Sequence, residues 1–244
     1  MANTIKNIEN KLREAIAFYW LTREQQKSRQ TLEGKSGQGA RSAVTGGAQM
    51  SKIIGLLTEL MLEAGAKSEE IFQNKALELP GFFRPTKEWD LLVIRDQQLI
   101  AAIEAKSQVG PSFGNNFNNR TEEAMGSALD LWTAFREGAF NSTIRPWLGY
   151  LFLLEDCPRS TRPVRTREPH FPVLREFKNA SYAKRYELFC RKLVRERHYS
   201  AATFLMSSRT GGLKGEYTET ARDLAFHIFV KSLAAQISIY KKSK

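Results

Sequence analysis

The stretch Trp89-Asp90-Leu91-Leu92-Val93-Ile94-Arg95-Asp96-Gln97-Gln98-Leu99-Ile100-Ala101-Ala102-Ile103-Glu104-Ala105-Lys106 decides the fold. Two short apolar runs, residues 91–94 and 99–103, flank the polar residues 95–98, and apolar runs joined by a tight polar connection form a β-hairpin. Side chains alternate along a strand, so Ile100, Ala102, Glu104 and Lys106 share one face, while Leu99, Ala101, Ile103 and Ala105 share the other. A pivot at Gln97 pairs Ile94 with Ile100 and sets Asp90 opposite Glu104, where cross-strand Cβ atoms lie about 5 Å apart. Two carboxylates and an amine then converge at one strand end.

That convergence suits a hard divalent cation, because Mg²⁺ takes one or two protein carboxylates and fills its shell with water and substrate phosphate. The Lys106 ammonium can orient an attacking water or help deprotonate it. Metal, water and phosphate at one place are what in-line phosphodiester hydrolysis requires.

Glu-x-Lys alone is a weak signal, since the chain holds it at Glu9-Asn10-Lys11, Glu33-Gly34-Lys35, Glu104-Ala105-Lys106 and Glu176-Phe177-Lys178. Only the copy at Glu104 ends an apolar strand and has an aspartate placed opposite by a hairpin. The flanks supply the remaining context.

Upstream, Ile5, Ile8, Leu12, Ile16 and Tyr19 recur at helical steps, so about the first 25 residues read as an amphipathic helix. Residues 31–49 hold five glycines and read as a loop, one that could order on DNA. Gly34-Lys35-Ser36 is not a phosphate-binding loop, because Arg29 stands where the motif needs another glycine and the flank is helical. Met50, Ile53, Ile54, Leu57, Leu60 and Met61 form a second helical stripe closed by Gly65. Glu59 and Glu63 lie one turn apart on its other side; they read as a solvated face, with one of them reaching the metal as the alternative. A strand is expected near residues 76–79, followed by the turn Pro80-Gly81-Phe82-Phe83-Arg84-Pro85-Thr86.

Downstream, residues 109–120 read as an Asn-rich loop, and Asn119 with Glu122 fits a capping box opening a helix with Met125, Ala128, Trp132 and Phe135 on one face. That helix ends near Gly138. Residues 147–154 are an almost unbroken apolar run, the mark of a strand buried on both faces, and a helix between two strands is the usual parallel crossover. Residues 157–170 carry Arg159, Arg162, Arg165 and Arg167 among prolines in a loop. Ser181 opens a helix whose Lys184, Arg191 and Arg195 form one basic stripe. Residues 202–206 form a last short strand, residues 207–217 a Gly-rich loop, and Thr220 caps a final apolar helix from Leu224 to Ile237.

The whole of residues 1–244 reads as one α/β domain: a helix and Gly-rich loop over 1–49, a catalytic core over 50–156, and a basic helical part over 157–244. Hydrophobic residues make up 42% and charged ones 26%. No run approaches the ~18 apolar residues of a membrane span, and the start has no apolar signal core, so a soluble cytoplasmic protein is expected. Cys157 and Cys190 are too few for a disulfide framework or zinc site and read as free thiols.

The net charge of +11 is uneven. Residues 1–49 carry +4, residues 50–156 carry −5, residues 157–200 carry 12 basic and 4 acidic side chains for +8, and residues 201–244 carry +4. An acidic centre between basic flanks suits an enzyme with a metal at its heart and a polyanion along its sides; a basic solvated surface is the plain alternative.

The order helix, strand, strand with Asp90, strand with Glu104-Ala105-Lys106, helix, strand resembles the αβββαβ core of the PD-(D/E)xK nuclease superfamily, a restriction-endonuclease-like mixed sheet flanked by helices. Trp89 stands where the superfamily's proline would be, and proline supplies no chemistry. A closer likeness covers most of the chain: Arg84-Pro85-Thr86-Lys87, Trp89-Asp90, the run from Val109 to Arg120 with Glu122-Glu123-Ala124, Thr133-Ala134-Phe135-Arg136-Glu137-Gly138, Glu155-Asp156-Cys157 and Pro169-His170-Phe171-Pro172-Val173. These motifs resemble the XhoI-type Type II restriction endonucleases, and the Asn-rich run is far more specific than Glu-x-Lys.

The resemblance implies a Mg²⁺-dependent homodimer that cuts the palindrome CTCGAG in double-stranded DNA after the first C, leaving 5′ overhangs, paired with a cognate methyltransferase. It implies that Asp90 and Glu104 hold the metal, that the Ala105 carbonyl assists, and that Lys106 positions or activates water. Asn pairs bidentately with adenine and Arg with guanine, so Asn115, Asn116, Asn118, Asn119 and Arg120 are candidates for base reading. Arg159, Arg162, Arg165, Arg167, Lys184, Arg191 and Arg195 are candidates for phosphate contact. Two rival functions stand beside this one: a structure-specific repair or recombination nuclease of the same superfamily, and a non-catalytic DNA-binding protein. Asp90, Glu104 and Lys106 all being present argues against the second.

Overall fold

In the computed structural model, which describes residues 2–32, 47–141 and 144–239, the chain runs α1 (Ala2–Leu32), α2 (Ser51–Glu63), β1 (Ile71–Phe72), β2 (Glu78–Pro80), β3 (Thr86–Glu88), β4 (Leu91–Arg95), β5 (Gln98–Gln108) and α3 (Phe113–Arg136). It continues through β6 (Trp147–Glu155), α4 (Pro158–Thr161), α5 (Tyr182–Arg195), β7 (Ala201–Ser207), α6 (Arg209–Gly212), β8 (Thr218–Glu219) and α7 (Phe226–Ile239). Most of the Gly-rich stretch 31–49 lies outside the described residues. No helix among the described residues is long and apolar enough to cross a membrane.

Six strands form one mixed sheet in the order β1-β4-β5-β6-β7-β8, and β2 pairs with β3 in a separate two-stranded sheet. Strands β5, β6 and β7 are mutually parallel, and the outer pairings are antiparallel. The strand expected at residues 76–79 is therefore half of a side hairpin, and the strand that completes the main sheet is the short β1. Its two residues carry no alternation by which a sequence could announce it.

The hairpin forms with one difference from the expected pairing. Its turn is Asp96-Gln97, with φ of 49° and 61° as a tight primed turn requires, so Ile94 pairs with Leu99 and not with Ile100. The register then shifts between Val93 and Ile94; Ile100 is the extra residue, and Val93, Leu92 and Leu91 face Ala101, Ala102 and Ile103. This bulge returns Asp90 to the position opposite Glu104. It also moves Ile100 into the core layer of Ala101 and Ile103, while Leu99 joins the layer of Ala102, so the expected faces hold from Ala101 onward and are exchanged before it.

Two apolar layers sandwich the sheet. On one side α1, α2 and α7 bury Leu12, Ile16, Leu57, Phe229 and Leu233 against Leu91, Ile103, Leu151 and Leu205. On the other, α3 and α5 bury Ala128, Leu131, Tyr186 and Phe189 against Leu92, Ala102, Tyr150 and Phe204. Strand β6 alternates between the two layers and is buried throughout, as an interior parallel strand must be.

Helix α3 starts at Phe113 with Ser112 before it, six residues ahead of the expected Asn119 cap. Phe113 stacks on Tyr182 at 5.8 Å and Phe117 meets Tyr186 edge-on at 4.9 Å. Those two rings, one turn apart, tie the Asn-rich run to α5, and tertiary packing outweighs the weak helix propensity of asparagine. The same register turns Met125 outward at 43% exposure, in place of the expected core position, and buries Ala124, Ala128 and Leu131. Thr220 does not cap the last helix: α7 begins at Phe226, whose N–H donates to Glu219 at 2.7 Å.

Candidate active site

Asp90 sits at the entrance to β4, fixed by its own N–H donating to the Ile103 carbonyl at 3.1 Å. Its Oδ2 accepts the Ala105 N–H at 2.8 Å and faces the Lys106 Nζ at 3.3 Å. The same ammonium lies 3.2 Å from Glu104 Oε1. Asp90, Glu104 and Lys106 thus share one centre across the hairpin, as strand alternation and the restored register dictate.

Glu104 is only 2% exposed. A buried carboxylate is tolerated when charge and hydrogen bonds compensate it. Here Oε1 faces both Lys106 and Lys87 at 3.2 Å, and Oε2 lies 3.2 Å from the hydroxyl of Tyr199, which also reaches the Ala124 carbonyl at 3.1 Å. Burial by itself would raise the Glu104 pKa; Lys106 and Lys87 more than offset it and hold the carboxyl below its ordinary range. Lys106 mirrors this, with burial pulling its pKa down and Glu104 and Asp90 raising it above the ordinary lysine value. The amine is therefore a cation at neutral pH, suited to orienting water and neutralising charge more than to taking a proton.

Two of these groups escaped the sequence reading. Lys87, on β3, stacks over the Trp89 ring at 4.4 Å and donates to the Glu88 carbonyl at 3.0 Å as well as meeting Glu104. Tyr199 stands just before β7, 95 positions from Glu104, where no local pattern could link them. For Lys87 a signal existed: it lies two residues from Trp89 on the strand that leads into Asp90.

The centre opens on a cleft of about 690 Å³ lined by the basic Arg84, Lys87, Lys106 and Arg120 and the acidic Glu104, Glu122, Glu123 and Asp130, with Phe83 and Leu129 also in the lining. Asp130 accepts the Phe82 and Phe83 N–H groups and the Arg84 Nε, each at 2.8 Å, which ties the β2–β3 turn to α3 and shapes that wall.

No group of three or more His, Cys, Asp or Glu side chains able to hold a metal occurs among the described residues. The centre instead offers the two carboxylates of Asp90 and Glu104 beside an open cleft. This donor set fits a hard cation that keeps part of its shell for water and phosphate, and it does not fit a closed structural site.

The remaining candidates separate into three groups. Asn115, Asn118 and Asn119 are exposed along one face of the first turns of α3, with Asn116 and Arg120 half-buried. Asn115 lines a second cleft of about 720 Å³ together with Arg159, Arg162 and Arg165, so the asparagine and arginine segments, distant in sequence, meet in space. Arg167 lines a neighbouring cleft with Lys178 and Asn179. The stripe on α5 is partly committed internally: Lys184 pairs with Glu187 at 2.7 Å, and Arg191 pairs with Glu187 at 2.8 Å and Asp223 at 2.9 Å, while Arg195 lies at the helix's last position. Glu59 and Glu63 turn to Lys11 of α1, at 2.9 and 3.8 Å, on the outer face of α2 and apart from Asp90 and Glu104. Cys157 and Cys190 are free thiols.

Comparison with known proteins places the chain in a family. The family described as restriction endonuclease XhoI matches residues 29–219. The type II restriction enzyme BstVI of Geobacillus stearothermophilus is 55% identical over 205 residues, spanning 82% of this chain and 92% of its own. The type II restriction enzymes XhoI of Xanthomonas vasicola (44% over 196 residues, 80% of this chain and 78% of its own) and AbrI of Azospirillum brasilense (49% over 172 residues, 70% and 77%) are also similar. No solved structure matches the chain. The matched span includes the whole strand-end cluster and all three clefts, and the chain belongs to the XhoI family of restriction endonucleases.

Proposed function

We propose that this protein is a Mg²⁺-dependent type II restriction endonuclease, built on the αβββαβ core of the PD-(D/E)xK superfamily, that cuts both strands of duplex DNA at CTCGAG after the first C and leaves 5′ overhangs. The observation that carries the reading is the meeting of Asp90, Glu104 and Lys106 within 3.3 Å contacts at a strand end that opens on a cleft lined by both basic and acidic side chains. The names of the similar proteins support the reaction, and the motif resemblance supports the site. The protein acts as a single nuclease unit in the cytoplasm, as a homodimer whose two-fold axis coincides with that of the palindrome, alongside a methyltransferase that protects the host sequence.

Asp90, Glu104 and the Ala105 carbonyl would hold the ion, which supplies charge neutralisation at the phosphate and activation of water. The chain's own contribution is positional. Lys106 holds both carboxylates and presents N–H donors to the water that adds to phosphorus as the P–O bond to the leaving deoxyribose oxygen breaks. The exposed asparagines at the start of α3 read base edges, and Arg159, Arg162, Arg165 and Arg167 contact phosphates beside them. The chain from Glu104 to Arg120 joins cutting to reading through a buried link: the Gln108 side chain donates to the Ser112 and Phe113 carbonyls at 3.4 and 3.3 Å, and accepts from Tyr186.

Incubation with plasmid and Mg²⁺ should give discrete fragments ending at CTCGAG, and Asp90→Ala or Lys106→Ala should abolish cutting while leaving a folded DNA binder. A smear, junction-dependent cutting, or a gel shift without cleavage refutes the assignment.

A further inference from the structure

Hydrolysis by Asp90, Glu104 and Lys106 leaves Lys87 without a task, although its side chain is only 12% exposed and lines the same cleft. Its ammonium shares one oxygen, Glu104 Oε1, with Lys106, both at 3.2 Å. The other oxygen is turned to Tyr199, whose hydroxyl is buried. A divalent ion that takes Glu104 as a ligand therefore meets an oxygen already holding two cations, and like charges so close repel strongly in a poorly hydrated site.

The two lysines differ in where they can retreat. Lys106 keeps Asp90 Oδ2 at 3.3 Å. Among the described residues Lys87 has no second carboxylate contact; it has the Glu88 carbonyl at 3.0 Å and the face of Trp89 at 4.4 Å, a combination that retains a cation without carboxylate help. Trp89 is itself 3% exposed, so this seat is rigid.

We propose that Lys87 is the resident counter-cation of the metal-free centre: it occupies Glu104 Oε1, competes with the incoming divalent ion for it, and gives it up when the ion binds while keeping the Glu88 carbonyl and the Trp89 face. This positioning role rests on the metal-dependent reading above. It predicts a sign opposite to that of a merely structural lysine. Removing a brace would let Glu104 wander and weaken metal binding; removing a competitor strengthens it.

The test is Mn²⁺ binding to the full-length, DNA-free protein, followed by the paramagnetic resonance signal of free Mn²⁺. Lys87→Met should bind Mn²⁺ about fivefold or more tighter than wild type, and Lys87→Gln, which keeps a polar tip should the methionine variant fold poorly, should shift the same way. Asp90→Asn, run alongside, should bind at least about tenfold more weakly. Equal or weaker binding by both Lys87 variants, with wild type binding and Asp90→Asn losing it, overturns the counter-cation role alone. No binding by wild type, or undiminished binding by Asp90→Asn, overturns the metal reading and this inference with it.

Discussion

Two places in this molecule set one lysine between two carboxylates. On the outer face of α1 and α2, Lys11 reaches Glu59 at 2.9 Å and Glu63 at 3.8 Å, with side-chain exposures of 33, 57 and 56%. At the end of the hairpin, Lys106 reaches Asp90 at 3.3 Å and Glu104 at 3.2 Å, and there Glu104 is nearly sealed from solvent. By distance the surface cluster is as good. Water and salt screen it, whereas in the second cluster Glu104 sits where an unpaired charge is costly, with Lys106 at 24% and Asp90 at 38% exposure facing the solvent side. The second cluster also holds what the first lacks: a backbone N–H on Asp90, a tyrosine hydroxyl on Glu104, a second lysine, and an open cleft. What sets the hairpin cluster apart is the surroundings of the three groups more than their spacing.

The strongest challenge to that contrast is Glu104→Gln. Cleavage should fall by about a thousandfold or more, since both the proposed metal ligand and the partner of two ammonium groups are lost. Folding stability should fall by about 3 kcal/mol, the cost of stripping one side of a buried ion pair. The pH dependence has a definite sign. Because the Glu104 carboxyl titrates below its ordinary value of 4.5, its contribution is present above 4.5 and lost as pH falls through the depressed folded value. Denaturation midpoints measured across the acid range should therefore decline less steeply in the variant. An equally steep decline removes Glu104 from the acid response.

Tyr199→Phe should act more gently. It deletes one buried hydroxyl and leaves Glu104 Oε2 without that contact, which predicts a loss of about 1 kcal/mol in stability and about a tenfold drop in cleavage rate. Metal affinity should weaken, opposite in direction to the Lys87 variants. Unchanged affinity and rate would show that Glu104 is held by the lysines alone.

Lys11→Met should change least. Its melting midpoint at physiological salt should match wild type, because exposed ion pairs contribute little, and its cleavage rate should be unaltered. A marked loss of cleavage would mean that the α1–α2 face takes part in function.

Much of the centre was legible in the sequence because strand alternation and hairpin pairing are short-range rules. They identified Asp90, Glu104 and Lys106, and the apolar run of β6 announced itself by composition. The misplaced features share a cause. The start of α3 was hidden because asparagines resemble a loop until Phe113 and Phe117 find Tyr182 and Tyr186 on α5, some 65 to 70 positions away. Tyr199 and the meeting of Asn115 with Arg162 are likewise products of the folded sheet. Lys11 was not recognised as the partner of Glu59 and Glu63, since pairing between two helices depends on how they dock.

The bulged residue Ile100 has a consequence for length variation in the hairpin. With the turn at Asp96-Gln97, an unbulged ladder would set Asp90 one place out of step with Glu104; the extra residue absorbs that offset before it reaches the end where those two residues meet. The outer tip and the inner end are thus mechanically insulated from each other, like a shaft with a spacer between handle and blade. Loops of other lengths can be grafted onto the tip, or a reporter inserted there, without disturbing the centre, provided the grafted hairpin keeps one unpaired residue on the β5 side.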